Sequence, residues 1–247
     1  MRGIILGLVV YAGMSAAHAD AVITAGQESP AMFTEFEATY QLSRGSLKAA
    51  RSKHSLSKTD SHAYTYRTVT EASGIVALFR DDKITEISSF TIQKNGLRPL
   101  AYDYQHKGTK KDRHQSIKYD WQTNTAVNDN RGKISEHPLT ADIFDRGSLP
   151  WAIAVDLANG QPEDEYQLLD HGKIRVYKMR RTEDVKIKTA AGEFETILVE
   201  RLAERKADKV ARFWFAPELG YLPVRTQYEE PSGDRTSLEL VKYTFKE

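Results

Sequence analysis

The chain has 247 residues, with 35 Lys and Arg against 34 Asp and Glu, 40% hydrophobic residues and no cysteine. A charge this close to balance speaks against general electrostatic binding to nucleic acid. Without cysteine there is no disulfide framework, no thiolate metal site, no cysteine nucleophile and no residue for lipobox acylation, so the fold must rest on its core.

The N-terminus reads as a targeting segment. Arg2 precedes an apolar run from Ile4 to Ala12, and small residues end in Ala17-His18-Ala19. That order is a Sec-type signal peptide with cleavage expected after Ala19, and the apolar run is too short to cross roughly 30 Å of hydrocarbon. The expectation is a periplasmic protein, not membrane-spanning once processed. Residues 20–32 carry no strong pattern and are expected to form a flexible lead. Residues 33–247 contain no Pro, Gly or Ser-rich linker and are expected to form a single antiparallel β domain.

From residue 35 onwards the dominant period is two. Phe36, Ala38, Tyr40 and Leu42 alternate with Glu35, Glu37, Thr39 and Gln41, the signature of a half-buried strand. The basic stretch Arg44, Lys48, Arg51, Lys53 and Lys58 follows. It reads either as a solvated hairpin edge or as a surface for anionic lipid head groups or envelope glycans. Further strands are expected at 63–71, 75–80, 84–93, 100–106 and 114–121. Between the last two lies a second basic stretch, Lys107, Lys110, Lys111 and Arg113, assigned to head-group contact. Turn chemistry at Lys94-Asn95-Gly96, Asn130-Arg131-Gly132, Asp170-His171-Gly172 and Ser232-Gly233-Asp234 suits tight hairpins.

One segment breaks the rhythm. Residues 148–159 read as a helical insert, with Ser148 placed to cap it, Pro150 in its first turn and Asn159-Gly160 ending it. Strands resume at 166–169, 174–180, 185–189, 194–202, 210–215, 224–229 and 237–245.

So many strands on one meander would leave long edges and a bare apolar face if the sheet stayed flat. The expected fold is therefore mainly β: a curved antiparallel sheet or incomplete β-barrel with one short covering helix. Charged runs such as Glu183-Asp184-Val185-Lys186-Ile187-Lys188 speak against a lipid-facing barrel.

Catalytic patterns are missing. The sequence has no His-Glu-x-x-His, no Gly-x-Ser-x-Gly elbow and no phosphate-cradling glycine loop, so no catalytic residue, metal or cofactor is assigned. His106 and His114 could meet across a hairpin and hold a metal with Asp112, but incidental histidines on a solvated hairpin fit as well. Large aromatics recur at alternate positions. Tyr102, Tyr104, Trp121, Trp151 and Trp214 are the residues assigned to line a ligand site.

Two resemblances add to this reading. Residues 189–197, Phe213-Trp214-Phe215-Ala216-Pro217-Glu218 and Gly220-Tyr221-Leu222-Pro223-Val224-Arg225 resemble the exported bacterial family known as domain of unknown function 3108. Asn95-Gly96-Leu97-Arg98-Pro99-Leu100 and Tyr119-Asp120-Trp121 resemble it too. The likeness implies an envelope protein and supplies no catalytic residues. The step from Trp214-x-Ala216-Pro217 to Leu222-Pro223-Val224 is also similar to periplasmic half-barrel carriers of lipid and lipoprotein, an analogy of architecture. Three functions stay open: a carrier for an apolar or amphiphilic envelope ligand, a solid-cored structural module binding an envelope protein, and a glycan-active enzyme.

Overall fold

The computed structural model describes residues 33–93, 96–108, 112–140, 143–161 and 163–246. The leader and the 20–32 segment lie outside the described residues. Eight strands come first: β1 (Phe36–Arg44), β2 (Leu47–Lys58), β3 (Ala63–Ala72), β4 (Lys83–Gln93), β5 (Gly96–Lys107), β6 (Arg113–Asp120), β7 (Thr125–Asn130) and β8 (Lys133–Pro138). A two-residue β9 (Ile143–Phe144) and the helix α1 (Leu149–Ala158) follow. The chain then returns through β10 (Glu165–Asp170), β11 (Lys173–Thr189), β12 (Gly192–Arg201), β13 (Val210–Ala216), β14 (Leu222–Glu229) and β15 (Arg235–Phe245).

All fifteen strands belong to one sheet, ordered β8-β7-β6-β5-β4-β3-β2-β1-β15-β14-β13-β12-β11-β10-β9. The chain starts in the middle of the sheet, walks to one edge at β8, reaches the other edge at β9, passes through α1 between the neighbouring strands β9 and β10, and walks back until β15 pairs with β1. Neighbours are antiparallel throughout, except for the short parallel pair of β9 and β10. The expectation of a curved, mainly antiparallel sheet with one helix holds, and the sheet stays open because β8 and β9 are not paired with each other.

Side chains do what hydrogen bonds do not. Tyr102, Ile117, Tyr119 and Ala126 from β5, β6 and β7 are buried in one cluster with Ile143 of β9 and Leu169 of β10, so the two ends of the sheet roll together. At this seam Gly172, at φ +70°, leaves room for β8. A Cβ there would stand 2.9 Å from Ser135 Oγ and 3.3 Å from Asn128 Nδ2.

The larger core lies on the concave side, where Phe36, Leu56, Phe90, Phe215 and Leu240 meet α1. Leu149, Trp151, Ala152, Ile153, Ala154, Val155 and Leu157 are all buried, so α1 is apolar nearly all round and plugs the curl instead of merely covering it. Each large apolar side chain fully buried here contributes about 1.5–3 kcal/mol.

The structure revises several boundaries. Residues 75–80 are not a strand; Gly74–Leu78 is a single exposed 3-10 turn. The basic stretch read as a solvated hairpin edge or a head-group surface runs along β2, whose alternating inward residues Ala50, Ser52 and Leu56 are buried. The separate expectations at 174–180 and 185–189 join into β11, with a bulge between Thr182 and Val185.

Candidate functional site

Register fixes what faces the hollow. Tyr66 of β3 stands opposite Ser88 of β4, Ser88 opposite Tyr102 of β5, and Tyr102 opposite Ile117 of β6. The next row on the same face is Thr68, Glu86, Tyr104 and Gln115. Into this surface the turn before α1 inserts Asp145 and Arg146.

Asp145 is fully buried and well satisfied. Its Oδ1 accepts from the backbone N–H of Gly147 (2.9 Å) and Ser148 (2.8 Å) and from Ser88 Oγ (2.9 Å), while Oδ2 accepts from the Tyr119 hydroxyl (3.3 Å). Burial raises its pKa, and the hydrogen bonds from Ser148, Ser88 and Gly147 oppose that rise.

Arg146 gathers the chemistry. Its Nε and Nη2 donate to the Tyr102 hydroxyl at 3.1 and 2.9 Å, and that hydroxyl donates to Glu86 Oε1 at 2.5 Å. The guanidinium also lies 3.6 Å from Glu86, 3.7 Å from Asp170 and 4.6 Å over the ring of Tyr104. On the far wall Arg201 stacks on Tyr177 at 3.8 Å. Tyr228 of β14 is 41% exposed, yet its pKa is pushed up to about 12, by burial first and by the Glu86 carboxylate next, with Arg146 opposing. The Glu86 and Arg146 charges act on Tyr228, so β14 brings this ring toward the cluster around Arg146.

Beside α1 the concave side opens into a half-open pocket of about 450 Å³. Ile153 and Leu157 of α1, Tyr166 of β10, Met179 of β11, Val199 of β12 and Leu202 form its apolar floor, and Glu163, Asp164, Arg180 and Arg181 stand at its rim. The Tyr166 hydroxyl is held by Asp156 Oδ2 at 2.7 Å, which fixes the ring.

The residues assigned from sequence separate. Tyr102 and Tyr104 come together around Arg146. Trp151 is 3% exposed in the plug, its ring centroid 5.9 Å from Phe33, 5.7 Å from Phe36 and 5.2 Å from Tyr66. Trp121 packs against the cluster of Tyr102, Ile117 and Tyr119 and donates its indole N–H to the Pro99 carbonyl at 2.7 Å, with Arg98 4.6 Å from its ring. Trp214 is buried in the larger core. It pairs in register with Leu198 and Arg225, on the face opposite Phe213, and Arg225 lies 5.7 Å above it.

Of the head-group residues, exposed Lys107 stands opposite Lys83, and Arg113 faces inward opposite His106, where its charge reaches Tyr104. Lys110 and Lys111 lie outside the described residues. His106 and His114 do not converge: His106 Nε2 is 2.9 Å from Asp82 and His114 Nε2 is 2.7 Å from Asp103. Among the described residues no group of three His, Asp or Glu is placed to hold a metal.

Sequence reasoning missed Glu86, Arg146, Asp170, Arg180, Arg181 and Tyr228. Glu86 left one trace: it occupies the inward parity of Ile84, Ser88 and Phe90, where alternation otherwise places uncharged side chains.

A rolled but unclosed antiparallel sheet, plugged by one helix and holding a polar cluster around Arg146, defines an open, barrel-like β protein. Residues 35–240 match the family described as Protein of unknown function (DUF3108), and the chain belongs to that family. No curated protein matches the chain. Among solved structures it is similar to the crystal structure of a beta-barrel-like protein of domain of unknown function DUF1849 from Brucella abortus. The TM-score is 0.53 and the identity 11%, covering 87% of this chain and 99% of that one, a likeness of fold.

Proposed function

We propose that this protein is a non-catalytic binding or carrier module of the periplasm, acting on an amphiphilic cell-envelope molecule. The observation that carries this reading is the pocket of about 450 Å³, with an apolar floor and charges confined to its rim. Its volume falls in the range of roughly 300–1,000 Å³ typical of small-molecule sites. Arg180 and Arg181 at the rim are paired with Glu200 and Glu183, and Glu163 and Asp164 stand beside them, so a molecule with an apolar chain and a polar head uses both the floor and this mixed-charge rim. The pocket also weighs against a solid-cored structural module.

The test is a titration with a fluorescent fatty acid, parinaric acid. Saturable enhancement of its emission is expected, and Leu202→Trp, which fills the pocket from its half-buried edge, should weaken binding about tenfold. No enhancement with the unmodified protein, or equal affinity in the variant, would contradict the assignment.

A further inference from the structure

The 3-10 turn between β3 and β4 breaks the rule that large apolar side chains avoid water. Ile75 is 64% exposed, Leu78 77% and Phe79 77%, within five consecutive residues and with no buried residue in the turn. Leu47, 49% exposed, stands close by at the start of β2, whose Ala49 carbonyl accepts from the Ser73 N–H at 3.0 Å. A cluster of this kind on a soluble chain marks an interaction surface.

What surrounds the cluster identifies the partner. Arg80 follows Phe79 directly, Lys83 begins β4, and Lys107 stands opposite Lys83. Gly108 closes the neighbouring hairpin against Asp82, tightly enough that a Cβ there would come 2.8 Å from the Asp82 Cα. The basic β5–β6 end and the apolar turn therefore lie side by side.

Asp82 is answered by Arg80 at 2.8 Å and Glu71 by Lys83 at 2.8 Å, leaving Asp81 and Asp112 as exposed acids. Lys48, Arg51, Lys107 and Arg113 make no ion pair among the described residues. An apolar tip fringed by uncommitted cations matches an anionic bilayer surface, with acyl chains below and phosphate head groups at the level of the Lys and Arg side chains.

We propose that Ile75, Leu78 and Phe79 form a membrane-docking tip that inserts into an anionic lipid surface, with Lys48, Arg51, Lys107 and Arg113 resting on the head groups. Docking in this way would present the Arg113 end of the concave face to the bilayer. The tip is separate from the pocket beside α1, so each stands or falls alone.

The test is co-sedimentation of the full chain with phosphatidylcholine vesicles, with and without about a third phosphatidylglycerol. A Leu78→Ser/Phe79→Ser double variant is compared, so that any contribution of the N-terminal apolar run cancels. Binding is expected to require phosphatidylglycerol, to weaken with salt, and to fall by at least about tenfold in the double variant. Parinaric acid binding and thermal stability should be unchanged in that variant. Equal binding by both proteins, or none by either, would overturn the proposal. Self-association abolished by the double variant without vesicle binding would overturn it too, assigning the tip to a second copy of the chain.

Discussion

His54 faces the concave side of β2 with both ring nitrogens engaged: Nδ1 lies 2.6 Å from the Tyr66 hydroxyl and Nε2 2.8 Å from Ser52 Oγ, with the Tyr40 ring tilted against it at 4.3 Å. Burial pushes its pKa down to about 3. An unfolded chain binds a proton at this histidine near pH 6.5, and the folded one refuses it down to about pH 3. Stability from this group is therefore full above pH ~6.5 and falls on acidification by up to about 1.4 kcal/mol per pH unit. Urea unfolding of His54→Gln should show a flatter slope between pH ~6.5 and ~5, above the range where carboxylates titrate, and the His54 imidazole should stay neutral by NMR at pH ~5. Titration of His54 near pH 6.5 in the folded protein would contradict this environment. Neither His54 nor Arg146 announces its role in the sequence, because their partners are remote: Tyr102 is 44 residues from Arg146 and Tyr66 is 12 from His54. Tyr102 and Tyr104 were legible because alternation alone puts them on one face.

At the scale of elements, alternation served well wherever one face is buried and the other wet, as in β1, β4 and β15, and failed where a segment is apolar throughout. Ile75 to Phe79 has no polar alternate positions, and a run of that kind looks like a buried strand until its neighbours are known. The helix is the opposite case: its span is close to expectation, but its start differs. Ser148 makes no side-chain cap for α1. Instead Asp145 and Ser148 exchange bonds, Asp145 Oδ1 accepting the Ser148 N–H at 2.8 Å and Ser148 Oγ accepting the Asp145 N–H at 3.0 Å, a reciprocal cap one turn earlier. Asp145→Ala would strand the Gly147 and Ser148 N–H groups and the hydroxyls of Ser88 and Tyr119 in a buried site. A loss of about 2–4 kcal/mol is expected, read from the urea midpoint, together with a red shift of tryptophan emission as Trp151 loosens. A change within about 0.5 kcal/mol would mean that this cap does not hold the plug.

For the whole molecule, the route of the chain was beyond reach of local pattern. That β1 sits at the centre and β15 closes upon it depends on two meanders of matching length, and that the ends roll together depends on Ile143 and Leu169 meeting Tyr102, Ile117 and Tyr119. The rolled sheet leaves two kinds of interior. One is the cluster of Tyr102, Tyr104 and Glu86 around Arg146, and the other is the pocket between α1 and the strands β10 to β12. Sequence reasoning expected an aromatic lining with three tryptophans. Trp151 is packed into the plug, Trp121 against the Tyr102 cluster and Trp214 into the larger core, while the pocket floor is made by Ile153, Leu157, Met179, Val199 and Leu202. Native mass spectrometry of the protein recovered from cells that produce it tests the carrier reading most directly. The prediction is a co-purifying amphiphile, one per chain, that is lost from Leu202→Trp; a bare mass for the unmodified protein, or the same adduct on the filled variant, would contradict it.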